Sequence, residues 1–178
     1  DDEILNDCIG YFEDVVIPIM RKEVKPGDIM IHLGDVFDNR ATIGLNTITR
    51  VIELFEHFSA IFNDIRITVG NHDIMKKSSN DITSLNMLKY IPNVKIYYEP
   101  IVEVIDGKTC LFNPWIESAE KEKELLAGVN VDYVFGHLEI GGSQMSNRSG
   151  VKIEFAGGVK SSDFKDAQVY AGHIHIKQ

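Results

Sequence analysis

Positive charge is scarce in this sequence: 18 Lys and Arg stand against 27 Asp and Glu, a formal net charge of −9 at pH 7. Such a surface does not hold nucleic acid through its own cations, because that kind of binding rests on Lys and Arg neutralising phosphates. An acidic protein can still act on a phosphodiester if bound metal ions supply the local positive charge. Cysteine is scarcer still. Cys8 and Cys110 stand far apart in no zinc or redox spacing. Each has an apolar neighbour, Ile9 and Leu111, which predicts two buried free thiols in a reducing cytosol. No apolar run approaches the ~18–20 residues of a membrane span. The opening Asp1-Asp2-Glu3 carries the wrong charge for a secretory signal, so a cytoplasmic location is expected. The missing initiator Met predicts a chain that begins inside a longer gene product.

What is present suits one globular domain over residues 1–178, with 44% apolar and 25% charged residues. Apolar spacing predicts a helix over 4–20, stopped at Lys25-Pro26-Gly27-Asp28. Buried strands follow at 29–33 and 65–69, separated by a helix over 42–59. A short helix is expected over 82–90. Strand-like runs cover 94–97, 101–105 and 109–112, the last two joined by Asp106-Gly107, a hairpin signal. A charged helix over 118–127 precedes strands at 131–135 and 169–171. The Gly- and Ser-rich stretch 141–150 reads as a loop. Alternating helices and strands in the first half predict an α/β fold with a mostly parallel sheet.

Four of these strands end in Gly followed by a metal-binding type of side chain: Gly34-Asp35, Gly70-Asn71, Gly136-His137 and Gly172-His173. In open α/β sheets, ligands bind beyond the carboxyl ends of the strands. The four donors are therefore expected on one rim, with glycine permitting sharp turns and close backbone approach. Mixed imidazole and carboxylate donors suit Mn, Fe or Zn, and all-oxygen sites suit Mg. A bridging carboxylate such as Asp35 suits a two-metal centre, which clamps the attacking and leaving oxygens of a phosphoryl displacement.

The motifs Gly34-Asp35-Val36-Phe37-Asp38, Gly70-Asn71-His72-Asp73, Gly136-His137 and Gly172-His173-Ile174-His175 resemble, in order, those of the calcineurin-like metallophosphoesterases. Further stretches, at 34–40, 69–74, 90–97, 113–115 and 135–140, resemble the SbcD-type nuclease subunits, including those of tailed-phage recombination endonucleases. The resemblance implies layered mixed sheets flanked by helices and two divalent ions, Mn²⁺ foremost. It also implies a DNA substrate and an SbcC-like ATPase partner, with homodimer formation left open and the host cytoplasm as location for a phage-encoded chain. One metal position would use Asp35, Asn71, His137 and His173. The other would use Asp35, His175 and an Asp-x-His motif that the family carries ahead of the first helix. That motif and the region after His175 are expected outside this chain, leaving the second position impaired here.

The resemblance also assigns His72 to the scissile phosphate or leaving oxygen and Asp38 to supporting it. Asp38 suits equally a cap of the following helix, and Arg40 either a phosphate contact or a solvated helix start. His57 and His32 read as structural, Trp115 as packing. A phosphatase or nucleotide phosphodiesterase on the same fold, or a non-catalytic scaffold, are the alternative functions. Against the protein-phosphatase branch stand Asp38-Asn39-Arg40 in place of Asp-Arg-Gly and Gly-Asn-His-Asp in place of Gly-Asn-His-Glu.

Overall fold

The computed structural model describes residues 2–39, 42–76, 79–146 and 152–174. The first apolar stripe forms a helical rod of α1 (Asp2–Tyr11), a π-helical turn (Phe12–Val16) and α2 (Ile17–Glu23). Pro18 explains the wide turn, which sequence periodicity did not foresee. Its ring crowds the carbonyl four residues earlier and it has no N–H to donate, so the rod loosens just before it. The rod ends at Val24, and the Asp28 carboxylate accepts the Lys25 N–H at 2.8 Å to close the turn.

β1 (Met30–His32) leads to α3 (Leu45–Ser59) and β2 (Ile65–Thr68). The helix begins later than the pattern predicted, at an extended Gly44 cap. Its Val51, Leu54, Phe55 and Phe58 are buried, the i, i+3, i+4, i+7 face of an amphipathic helix. A hairpin of β3 (Ile74–Lys76) and β4 (Ser79–Thr83) runs into a 3-10 helix (Ser84–Tyr90) and then β5 (Val94–Tyr97). The expected helix over 82–90 is thus a strand end plus a 3-10 segment, with the Thr83 hydroxyl accepting from the Leu85 N–H as cap. Strands β1, β2 and β5 form a parallel sheet in the order β1-β2-β5.

The second sheet has the order β11-β8-β7-β6, built from β6 (Ile101–Ile105), β7 (Lys108–Asn113), β8 (Tyr133–Gly136) and β11 (Gln168–Ala171). Only β6 and β7 are antiparallel, joined at Asp106-Gly107 as expected. α4 (Ala119–Gly128) starts at Ser118, whose hydroxyl accepts the Lys121 N–H. Within the stretch read as a loop, β9 (Gln144–Ser146) pairs with β10 (Lys152–Glu154); residues 147–151 lie outside the described residues.

Three apolar clusters define the layers. One joins α1, α2 and α3 to Ile65, Ile67 and Val69. One packs Leu126 of α4 and Phe164 on Leu111 and Val134. Between the sheets, Tyr97 stacks on Phe112 at 4.2 Å, with Ile31 and Phe135 beside them. Two sheets flanked by helices result, one parallel and one mixed, the layered architecture that the family resemblance implied. Cys110 is buried as expected, but Cys8 is exposed on the outer side of α1, because its neighbour Ile9 takes the core-facing position. His57 is also exposed, on the last turn of α3. Among the described residues no helix is long and apolar enough to cross a membrane.

Candidate metal centre

Beyond β1 the chain turns through two left-handed residues, Gly34 at φ 88° and Asp35 at φ 55°. Asp tolerates this region better than most side chains. A Cβ on Gly34 would lie 2.6 Å from the Gly70 nitrogen and 2.8 Å from His137 Nδ1, so the two rim loops touch backbone to backbone. A Cβ on Gly70 would in turn run into the Asp35 backbone nitrogen and carboxylate. The glycine that precedes each of these donors is required by this contact.

Asp73 ties the same loops together. Its carboxylate is buried and accepts the N–H groups of Asp35 (2.8 Å), Val36 (2.9 Å), Phe37 (3.3 Å) and Gly70 (2.9 Å). Burial lifts its pKa to about 6, against the pull of these amides. In the sequence Asp73 stands out only as the last residue of the Gly70-Asn71-His72-Asp73 motif. The signal that could have found it is the need of two successive tight turns for an acceptor.

The donors converge. His137, 1% exposed, places Nδ1 at 2.7 Å from the Leu33 carbonyl oxygen. A carbonyl only accepts, so Nδ1 carries the proton and Nε2 presents a lone pair. That Nε2 lies 2.8 Å from Asn71 Oδ1, 3.1 Å from His173 Nδ1 and 3.2 Å from Asp35 Oδ2. His173 Nδ1 is 3.0 Å from the same Asn71 oxygen. Donor atoms of Asp35, His137 and His173 all lie within 4.8 Å of one another. Electron pairs crowd together here with too few protons to link them all, the condition a divalent cation relieves. The mixed N and O set fits Mn, Fe or Zn. Burial pushes the Asp35 carboxyl up, and the His72 amide, which donates to Oδ1, pulls it down and favours the ionised form.

His72 sits on the same rim without joining the cluster. Its N–H donates to Asp35 Oδ1 at 2.8 Å, and its ring Nδ1 lies 2.6 Å from the Asp38 backbone carbonyl. The Asp38 carboxylate is exposed and 3.9 Å away. The structure therefore joins Asp38 to His72, but chiefly through the main chain. Asp38 does not cap α3, whose cap is Gly44. Arg40 and His175 lie outside the described residues.

Around the donors stand Trp115, expected as packing, and two carboxylates that carry no sequence signal. Trp115, 6% exposed, lies 5.4 Å from the His173 ring and 6.2 Å from His137. Glu139 Oε1 is 3.7 Å from His173 Nε2, on the far side of the ring from the donor nitrogen. Glu122, 2% exposed, accepts from Asn113 Nδ2 at 2.8 Å, and burial pushes its pKa up to about 7.

His32, at the end of β1, has a buried Nδ1 with no hydrogen-bond partner among the described residues, and its ring lies 6.0 Å from Phe55. Burial, with His137 acting in the same direction, lowers its pKa to about 4. An unfolded histidine titrates near 6.5, so the unfolded state binds the extra proton between those values and stability falls as pH drops through the window. At pH 5 the linkage amounts to ~2 kcal/mol relative to pH 7. The raised carboxyls of Asp73 and Glu122 act in the opposite sense, so the His32 share is read as a difference: between pH 7 and pH 5, urea unfolding should shift less favourably in the parent than in His32→Leu, by ~2 kcal/mol. Equal shifts in both proteins would dissociate the effect from His32.

A family model described as calcineurin-like phosphoesterase matches residues 4–177, and the chain belongs to that family. Exonuclease subunit 1 of Enterobacteria phage T4 is 29% identical over 156 residues, covering 82% of this chain and 42% of that protein. The chain thus spans about two fifths of the length of this curated relative. A solved structure of AQ665 from Aquifex aeolicus, a protein of unknown function, aligns over 90% of this chain and 74% of its own at 20% identity, with a TM-score of 0.48.

Proposed function

We propose that this chain is the metal-bearing core of a DNA nuclease subunit that hydrolyses phosphodiesters and works beside an SbcC-like ATPase. The observation that carries the reading is the meeting of Asp35, Asn71, His137 and His173 with their electron pairs turned toward one another. In a phosphoesterase family, that donor set would hold a divalent ion, Mn²⁺ foremost. The ion would supply positive charge against the phosphoryl oxygens and acidify water near neutral pH. The kinship with an exonuclease subunit favours nucleic acid over small phosphate esters, and the word subunit favours a partner.

The residues divide the work. Asp35 brings the negative charge of the donor set, and the Leu33 carbonyl fixes His137 in the tautomer that leaves Nε2 free. The Asp38 carbonyl occupies His72 Nδ1, which leaves Nε2 as the ring atom that can pass a proton to the departing oxygen. The acidic surface fits this division: affinity for DNA comes from the bound ion and the partner, with little from the chain's own cations.

Mn²⁺-dependent cleavage of single-stranded and duplex DNA by the full-length protein tests the reading. Hydrolysis of bis(p-nitrophenyl) phosphate without cleavage of either DNA would make it a small-molecule phosphodiesterase. His72→Ala is expected to leave Mn²⁺ affinity nearly unchanged and to lower single-turnover cleavage by ~10²–10⁴-fold, the share of a positioned proton donor. Asp38→Asn keeps the main-chain carbonyl and should cost less than about tenfold. If His72→Ala lost the metal, His72 would be a ligand and these roles would be wrong.

A further inference from the structure

The two histidines of the donor set differ in what meets their second ring nitrogen. His137 Nδ1 lies 2.7 Å from the Leu33 carbonyl, which fixes the proton there and frees Nε2. His173 is turned the other way. Its Nδ1 joins the cluster, 3.1 Å from His137 Nε2 and 3.0 Å from Asn71 Oδ1. Its Nε2 faces a carboxylate, with Glu139 Oε1 at 3.7 Å. That separation is an ion-pair length, about half an ångström beyond a full hydrogen bond. The two side chains are 16% and 31% exposed, so water screens the contact less than it would at an open surface.

The main chain of Glu139 is held in place by a neighbouring segment. Its carbonyl accepts the Val159 N–H at 2.9 Å, and the Gly141 N–H donates to the Val159 carbonyl at 2.7 Å. Ile140 and Val159 thus form a short parallel bridge. Gly158 stands at φ 76°, and a Cβ there would lie 2.0 Å from the Glu139 carbonyl oxygen and 3.0 Å from the Glu139 Cβ. Glycine permits this approach, and the approach fixes the point from which the Glu139 side chain sets out. The His173 ring is held as well, with the Trp115 ring 5.4 Å away.

This arrangement bears on where the His173 proton sits. Inside the cluster two acceptors, Asn71 Oδ1 and the His137 Nε2 lone pair, draw a proton onto His173 Nδ1. A protonated Nδ1 has no electron pair to give a cation. A carboxylate at the opposite ring nitrogen draws the proton to Nε2 and leaves the Nδ1 pair open. Carboxylates behind metal-binding histidines act in this way and make the ring a stronger donor.

We propose that Glu139 is a positioning residue of the metal centre, holding the His173 proton on Nε2 and so keeping Nδ1 open as a donor. The inference rests on the reading of Asp35, Asn71, His137 and His173 as a donor set, and it holds whichever phosphodiester is the substrate. The proton can be located directly by nuclear magnetic resonance on metal-free, full-length protein labelled with ¹⁵N at histidine. The His173 signals are assigned by their loss in His173→Gln. The parent is expected to carry the His173 proton on Nε2 and the His137 proton on Nδ1. In Glu139→Ala the His173 proton should move to Nδ1, while His137, held by the Leu33 carbonyl, keeps its own. A general loosening of the rim would disturb both rings. Calorimetric Mn²⁺ affinity should fall ~10–100-fold in the same variant. Glu139→Gln keeps an oxygen that can accept from Nε2, so the parental tautomer should return and the loss of affinity should be smaller. Glu139→Met, which fills the space without an acceptor, replaces Glu139→Ala if that variant does not fold.

A His173 proton that stays on Nε2 without the carboxylate would overturn the proposal. So would Mn²⁺ affinity within about twofold of the parent in Glu139→Ala, since removing such a partner ordinarily costs far more. A parent protein that binds no Mn²⁺ would overturn the donor set and this proposal with it, whereas a parent and a Glu139→Ala variant that bind alike would overturn the proposal alone.

Discussion

Asp35→Asn in the full-length protein is expected to abolish tight Mn²⁺ binding and to lower phosphodiester hydrolysis by more than ~10³-fold. Asn is the informative replacement because Asp35 is left-handed, at φ 55°, a conformation that Asn also tolerates and Ala resists. Its remaining oxygen can still accept the His72 N–H that Asp35 Oδ1 accepts at 2.8 Å. The turn should therefore survive. The change falls on the other side, where Asp35 Oδ2 lies 3.2 Å from His137 Nε2. An amide there offers N–H to the imidazole lone pair, so a proton replaces the cation that the parent site is arranged to hold. The unfolding free energy without metal should stay within ~1 kcal/mol of the parent, while calorimetric Mn²⁺ binding disappears. Retention of parental affinity would show that the carboxylate is not part of the donor set.

The contrast with His72 follows from the same geometry. Both residues lie on one rim and touch each other, yet only Asp35 points its second polar atom into the cluster of lone pairs. His72 turns its ring nitrogen toward the Asp38 carbonyl instead. Affinity and turnover are thus expected to separate between the two variants, and a shared collapse of the site would affect them alike.

The rim was legible because its constraint is covalent and local. A strand that ends against another strand's backbone needs glycine at the contact, and the donor follows it, so four Gly-plus-donor pairs stand out without any tertiary knowledge. The α/β class was legible for a similar reason, since buried strands separated by amphipathic helices leave few arrangements; the layering of two sheets was implied only by the family resemblance. The hairpin of β3 and β4 was hidden because its strands are short, polar and paired with a register shift between Ile74 and Lys76, which leaves no alternation to read. The π-helical turn leaves no mark on the apolar periodicity, which runs unbroken through Pro18; it follows from the carbonyl behind the proline ring. The resemblance assigns Asp38 to supporting His72, but the main-chain contact through which it does so has no sequence signature. Glu122 looks like one charge among many on α4; its hydrogen bond to Asn113, nine residues earlier at the end of β7, has no sequence signature.

Asp73→Ala is expected to cost more stability than any substitution among the donors, although Asp73 binds nothing. Its carboxylate accepts four main-chain N–H groups from two loops, at 2.8, 2.9, 2.9 and 3.3 Å. Removing it strands those donors in a site where Asp73 itself was 2% exposed. An unsatisfied buried donor costs ~1–3 kcal/mol, and partial relaxation or an entering water would hold the total near ~3–5 kcal/mol. Asp73→Asn should fall between Ala and the parent, because one side-chain oxygen still accepts while the amide N–H₂ confronts main-chain donors. Metal affinity should decline with stability in this series, since the loops that carry Asp35 and Asn71 lose the group that holds them together. Urea unfolding read beside Mn²⁺ calorimetry separates this from Asp35→Asn, where affinity is lost and stability kept. If Asp73→Ala unfolds at the parental urea concentration, the carboxylate does not hold the loops, and the geometry of the rim must be maintained by the glycine contacts and the flanking strands alone.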